Sequence, residues 1–159
     1  MEVPIPNFYF MGVQFVHLLA LALWVGGIVM AGMVAAPVIF SRVPSRKLAG
    51  EVFGEIFRRF ERVILVCIVA LVATGIIKYV TWENLTPWNL TRYIAIGIMS
   101  ACGLYSSLAV SPRLRALQTE IADGKGTPDQ EALFDRLHRV SFQCMIVSLI
   151  CGLIAILLA

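Results

Sequence analysis

Charged residues are scarce in this chain of 159 residues: Asp, Glu, Lys and Arg make up 14% of it, and hydrophobic residues make up 59%. Soluble domains are about one quarter charged and lack apolar runs of 20 residues. The scarcity of charge therefore excludes an ordinary soluble domain and favours a membrane protein. The net charge of +3 is small and lies in connecting segments, so we expect no nucleic-acid partner.

Paired cysteines are also missing. Four cysteines fall in apolar runs without a Cys-x-x-Cys motif: Cys67, Cys102, Cys144 and Cys151. Cysteines in such surroundings usually act as small buried hydrophobic side chains rather than as disulfides or zinc ligands. Cys144 and Cys151 lie seven residues apart on one helix face, so a soft-metal site stays open as an alternative.

What the chain does contain is a set of four apolar runs. About 20 apolar residues suffice to cross a bilayer, and the runs cover residues 8–40, 63–80, 93–110 and 140–159. They predict an all-α fold, with residues 1–159 forming a single transmembrane domain. An antiparallel four-helix bundle is the simplest closure. The predicted connections are 41–62, 81–92 and 111–139.

Basic residues are unevenly distributed among these connections. Most Lys and Arg residues lie in 41–62 and 111–139, and only Lys78 and Arg92 flank the connection between them. Cytoplasmic loops collect Lys and Arg. We therefore expect the two basic connections to be cytoplasmic, the segment 81–92 to be the outer loop, and both termini to face outward.

The two basic connections carry helical patterns as well. An apolar residue recurs at every fourth position of the first: Leu48, Val52, Ile56 and Phe60. This pattern predicts an amphipathic helix that either lies on the inner membrane surface or runs straight into the second span. The motif Thr127-Pro-Asp-Gln predicts a capped helix start, after a break at 123–126 and well before the fourth apolar run.

His17 is the main candidate functional residue because it lies inside the first apolar run. Ionisable side chains are costly there and usually face a bundle interior, where they serve a ligand, a pathway or a proton relay. At a rise of about 1.5 Å per residue, His17 lies roughly 13 Å below the outer edge. The positions at the same depth in the other spans are Leu71–Thr74, Met99–Cys102 and Ser148–Cys151.

Four interpretations of His17 remain open. It can be a neutral imidazole bonded to a hydroxyl or backbone oxygen, a ligand of Cu(I), an axial ligand of haem, or a proton relay. The sulfur partners at its depth are Met99, Cys151 and Cys102. The predicted lining of the site is Gln14, Trp24, Thr74, Ser100 and Ser148. Lys78 and Arg92 either snorkel or contact an anionic group such as a haem propionate.

His138 begins the fourth apolar run on the opposite side. It should lie roughly 15–25 Å from His17 along the membrane normal, so the two histidines cannot hold one metal or haem iron. With Ser141 it forms a second polar site, for which interfacial hydrogen bonding is a sufficient explanation.

Several motifs resemble known families. The segment His17-Leu-Leu-Ala-Leu-Ala-Leu-Trp-Val-Gly-Gly27, with Arg59-Phe-Glu-Arg-Val-Ile-Leu65 and Thr74-Gly75, resembles CopD-type copper-resistance membrane domains and, more distantly, HemJ-type protoporphyrinogen oxidases. A bacterial four-helix membrane domain family of unknown function is similar over nearly the whole chain. That similarity includes Ala36-Pro-Val-Ile-Phe40, the Ser45-Arg-Lys-Leu-Ala-Gly50 region and Leu137-His-Arg-Val-Ser141.

These resemblances imply a function. CopD-type domains imply copper handling and HemJ-type proteins imply a b-type haem, and both implications carry over to His17 alone. We therefore expect a protein of the bacterial cytoplasmic membrane that handles copper or binds haem b through His17, and we leave open whether it is an enzyme. The alternative is a non-catalytic accessory subunit of a larger membrane complex. In that case membrane-protein partners or a homo-oligomer would accompany the surrounding lipid.

Overall fold

The computed structural model describes residues 7–122 and 126–159, and the regular elements within these ranges are all helical. In chain order they are α1 (Asn7–Val29), a first π-helical segment (Met30–Ala35), α2 (Ala36–Arg42), α3 (Arg46–Thr81), α4 (Pro87–Tyr105), a second π-helical segment (Ser106–Val110), α5 (Ser111–Ala122) and α6 (Pro128–Leu157).

Four helical stretches are long and apolar enough to span a membrane: Phe8–Arg42, Arg46–Thr81, Pro87–Ile121 and Pro128–Leu157. Large apolar side chains on their outer faces, among them Val66 and Val69, are exposed. Such faces are unfavourable in water but fit contact with lipid chains. The chain is therefore a multi-pass membrane protein in contact with the bilayer.

The helices extend beyond the apolar runs. α3 begins at Arg46, so the amphipathic segment continues into the second span as one helix. α4 begins at Pro87, where the hydroxyl of Thr86 accepts a hydrogen bond from the backbone N–H of Asn89, and only residues 82–86 separate it from α3. The predicted capping box is confirmed, because Thr127 and Gln130 bond each other's backbone N–H groups at the start of α6. The predicted break at 123–126 falls largely outside the described residues.

The core lies where α1 packs on α3 and α6, and where α4 packs on α6. Its largest fully buried apolar side chains are Trp24, Leu21, Leu71 and Met99. Two glycines allow this close packing. A Cβ atom on Gly103 would lie 2.7 Å from Cζ2 of Trp24, and one on Gly152 would lie 2.4 Å from Cγ2 of Val25.

Gly103→Ala is therefore expected to destabilise the fold. The added methyl group would collide with the buried Trp24 ring, and overpacking of this kind costs about 1–3 kcal/mol. The matched control is Gly97→Ala on the same helix, where a Cβ meets nothing within 4 Å. Reversible unfolding in mixed micelles measures both variants, and an equal loss in the two would contradict the close contact.

Candidate functional site

The imidazole of His17 is completely buried, and its Nδ1 lies 2.8 Å from Oγ1 of Thr74 on α3. The Thr74 hydroxyl donates its own hydrogen to the carbonyl oxygen of Ala70, at 2.6 Å. A hydroxyl has a single hydrogen. Thr74 therefore accepts from His17, and in the neutral imidazole the proton is on Nδ1.

The second nitrogen of the ring is free. Nε2 of His17 is buried and has no hydrogen-bond partner among the described residues. An unsatisfied buried polar atom costs about 1–3 kcal/mol. A histidine whose other nitrogen donates a fixed hydrogen bond, so that Nε2 keeps its lone pair, is in the state that binds metal ions. Nε2 of His17 is therefore available to accept a hydrogen bond or to bind a metal ion.

The helices around His17 supply sulfur and hydroxyl groups. Met99 on α4 is fully buried, and its Sδ would lie 3.3 Å from a Cβ on Gly152 of α6. The hydroxyl of the next residue, Ser100, is also buried without a partner within the described part of the chain. Nε2 of His17 and Oγ of Ser100 are thus two buried polar atoms without a partner among the described residues.

The other predicted site residues are dispersed. Trp24, Cys102 and Ser148 line a narrow cleft whose lining includes neither His17 nor Thr74. Cys151 is half-buried against the core, and Gln14 is half-buried. No group of three or more His, Cys, Asp or Glu side chains within residues 7–122 and 126–159 could hold a metal ion.

Lys78 and Arg92 belong to a buried ionic cluster, which we call the Glu83 cluster: Lys78, Glu83, Arg92 and Tyr93. The two cations are only 2% and 3% exposed. Nζ of Lys78 lies 3.0 Å from Oε1 of Glu83, and Arg92 bonds Oε2. The Tyr93 hydroxyl donates to the same oxygen at 2.5 Å. Both predicted anion contacts are thus paired with one carboxylate of the chain itself.

The charges of the Glu83 cluster do not cancel. Burial works against ionisation of Glu83, but hydrogen bonds from Tyr93 and Lys78 and the charges of Lys78 and Arg92 outweigh it and hold the pKa of Glu83 below its usual value. One carboxylate then faces two cations. Arg92 also donates to the carbonyl oxygen of Leu158 at 3.2 Å, while its Nε has no partner among the described residues.

The cluster lies close to His17. Thr74 and Lys78 are four residues apart on α3, so they share one helix face and differ by about one turn. An excess positive charge therefore stands about one helical turn from the imidazole. We call this side of the bundle the Glu83 end.

A second acidic residue marks the opposite side, which we call the Glu61 end. Glu61 is buried, accepts a hydrogen bond from the Ser111 hydroxyl, and lies 3.8 Å from a guanidinium nitrogen of Arg115. Sequence reasoning missed both Glu61 and Glu83. Helical spacing could have indicated Glu61, because it lies three residues before Ile64 and seven before Ile68 and therefore on the same face of α3, where both are buried.

The second predicted polar site is divided in the structure. The ring of His138 is exposed and stacks on Phe134, with 6.2 Å between centroids. The hydroxyl of Ser141 lies 3.4 Å from that of Ser106 on the second π-helical segment. These two residues of α6 therefore have different surroundings, one outside the bundle and one inside it.

Comparison of the sequence with curated proteins and with solved structures gives no significant match. A family described as Domain of unknown function (DUF4149) matches residues 19–123. This family is neither a CopD-type nor a HemJ-type family, and His17 lies two residues before the matched range. Since the matched range covers more than half of the chain, this multi-pass membrane protein belongs to the DUF4149 family.

Proposed function

We propose that the protein binds Cu(I) in the membrane through Nε2 of His17. The observation that carries the proposal is the state of this one ring: Nδ1 is bonded to Thr74, and Nε2 is buried without a partner in the described part of the chain. An imidazole nitrogen combined with soft sulfur ligands selects Cu(I).

Met99 is the proposed second ligand. Its side chain is fully buried. Depth counted along the sequence places Met99, and the further sulfur residues Cys102 and Cys151, level with His17. Leu21 and Leu71, which lie about one helical turn from His17 and Thr74, are fully buried as well. A single ion needs only a small rearrangement of such a core, whereas a porphyrin would require the helices to separate.

Haem b is the second candidate, and one observation favours it. The Glu83 cluster carries one positive charge in excess, and Nε of Arg92 has no partner among the residues described. A haem propionate would balance that charge while the iron is held by His17 about one helical turn away.

We place the site in the outer half of an antiparallel four-helix bundle with both termini outside the bacterial cytoplasmic membrane. The basic residues near Glu61 support this orientation, because cytoplasmic segments collect Lys and Arg. The contacts of α1 with α3 and α6, and of α4 with α6, fit such a bundle.

The test is a Cu(I) titration of the purified protein in lipid nanodiscs, in competition with a chromophoric chelator and under reducing conditions. The wild type is expected to bind about one Cu(I) per chain, and His17→Ala is expected to lose it. His138→Ala is the matched control, because the chain has only two histidines. The control should bind copper like the wild type.

A visible absorption spectrum of the same samples separates the alternatives. A Soret band that disappears in His17→Ala would show that His17 binds haem b rather than copper. Absence of both ligands, together with other membrane subunits that always co-purify, would favour the accessory-subunit function. Equal copper binding by the wild type and His17→Ala would refute the proposed ligand.

A further inference from the structure

The half of the bundle toward Glu61 contains a narrow cleft of about 20 Å³. Trp24 closes one wall of it. Thiol and hydroxyl groups from α4, the second π-helical segment and α6 form the polar part of its lining: Cys102, Ser106, Ser107, Ser141, Cys144 and Ser148. Small hydroxyl residues are common where membrane helices pack, whereas ionisable residues are rare there and mark ion pathways.

Among the described residues that line this cleft, Glu61 alone carries a carboxylate. Its carboxylate is held by the Ser111 hydroxyl and lies 3.8 Å from Arg115, whose side chain is 42% exposed. The basic residue Arg62 follows directly and is exposed. Glu61 thus lines the cleft and lies beside the basic residues Arg62 and Arg115.

The wall of the cleft contains an irregular helix. Ser106 and Ser107 belong to the π-helical segment Ser106–Val110, and both of these consecutive residues line the cleft. π-Helical turns inside α-helices are frequent at functional sites. Cys102 on α4 and Cys144 on α6 both line the cleft as well.

We propose that this cleft is an entry path for a small monovalent cation, leading from Glu61 toward His17. A carboxylate with several hydroxyl groups favours a cation, and the volume suits one water or one dehydrated ion. Naming Cu(I) as that cation rests on the proposed function. The thiols of the cleft, and the Met99 thioether about one turn beyond Cys102, suit such a soft ion.

The charges at the two ends of the bundle favour entry of a cation from the Glu61 end. At the Glu83 end, two buried cations share one carboxylate, and the excess positive charge repels cations from that side. At the Glu61 end, a buried carboxylate attracts them. Trp24, which lines the cleft, is seven residues from His17, about 10 Å along α1.

Ag(I) is a suitable probe because it is monovalent, small and thiol-reactive. Full-length variants that retain one native cysteine each (Cys102, Cys144 or Cys67) are exposed briefly to Ag(I) in nanodiscs, then unfolded and labelled with a maleimide. Cys102 and Cys144 line the cleft, whereas Cys67 is buried in the core elsewhere. We expect the cleft thiols to react at least tenfold faster than Cys67.

The effect of the charges of Glu61 and Arg115 is tested in the variant that retains Cys102 as its one cysteine. Glu61→Gln should slow the Ag(I) reaction about tenfold, since a local charge changes encounter rates by at least that factor. Arg115→Gln should accelerate it. Glu55→Gln is the matched control, because this acid lies on the same helix but is exposed and pairs with Arg58 and Arg59. It should leave the rate unchanged.

The neutral reagent methyl methanethiosulfonate separates charge from structure. Glu61→Gln should not change its rate of reaction with Cys102. If Glu61→Gln slows the reactions of both reagents with Cys102, Arg115→Gln separates the two explanations, because it leaves the Glu61 carboxylate in place. Acceleration of the Ag(I) reaction alone supports the path, and an unchanged Ag(I) rate overturns it. Equal Ag(I) reactivity of Cys67 and the cleft thiols also overturns it.

The two proposals fail separately. His17→Ala should not alter the Ag(I) rates at Cys102. If the copper titration fails to show a site that depends on His17 while the Ag(I) rates are as expected, the proposed function is refuted and the cation path is not.

Discussion

Glu83→Gln is expected to lower the free energy of unfolding by about 3–5 kcal/mol, the usual cost of removing one partner from a buried ion pair. Glu83 neutralises one of two almost fully buried cations and bonds both, and Tyr93 donates to it as well. Glutamine keeps the shape but leaves the charges of Lys78 and Arg92 uncompensated. Denaturant titration in mixed micelles measures the loss.

Glu55→Gln is the control for this experiment. Its carboxylate is 43% exposed and pairs with Arg58 and Arg59 on the surface of the same helix. Exposed ion pairs contribute little to stability, so this variant should resemble the wild type. Equal stability of Glu83→Gln and Glu55→Gln would contradict a buried cluster.

The pH dependence follows from the lowered pKa of Glu83. A carboxyl whose pKa is lower in the folded than in the unfolded protein stabilises the fold fully above its ordinary pKa, near 4.5, and loses that contribution as the pH falls through the lower folded value. The wild type should therefore lose stability below pH 4.5 more steeply than Glu83→Gln, which has no group to protonate there.

Thr74→Val is expected to weaken Cu(I) binding by about 10- to 100-fold, the usual effect of removing the group that orients a histidine ligand. Valine has nearly the shape of threonine but cannot accept the hydrogen bond from Nδ1 of His17. The ring then loses its fixed orientation and its preference for the proton on Nδ1. Competition titration with the chelator measures the change, and Thr74→Ser should restore most of the affinity.

Thr81→Val is the matched control for Thr74→Val. Thr81 lies on the same helix, and its hydroxyl also donates to the carbonyl four residues earlier, but it is exposed. Its replacement should leave copper affinity unchanged. If Thr74→Val also left the affinity unchanged, the Thr74 hydrogen bond would have no part in preparing the site.

The sequence alone determined the class of the protein and most of its local structure. Length and hydropathy are properties of a continuous segment, so the four spans could be identified without knowing what they pack against. The capped start of α6 was equally local, since Thr127 and Gln130 lie within one turn. Depth counting also placed Thr74 among the positions level with His17, because helix rise is constant.

Only the tertiary structure decided which side chains meet. It selected Thr74 from the positions level with His17, joined Glu83 to two cations, and placed Glu61 in the lining of a cleft. The reason lies in the solvent. In water, the apolar face of a helix marks its buried side, but lipid makes both the outer and the inner faces of a span apolar. The rotation of each helix about its axis is then set by packing, and with it the partners of every buried polar group.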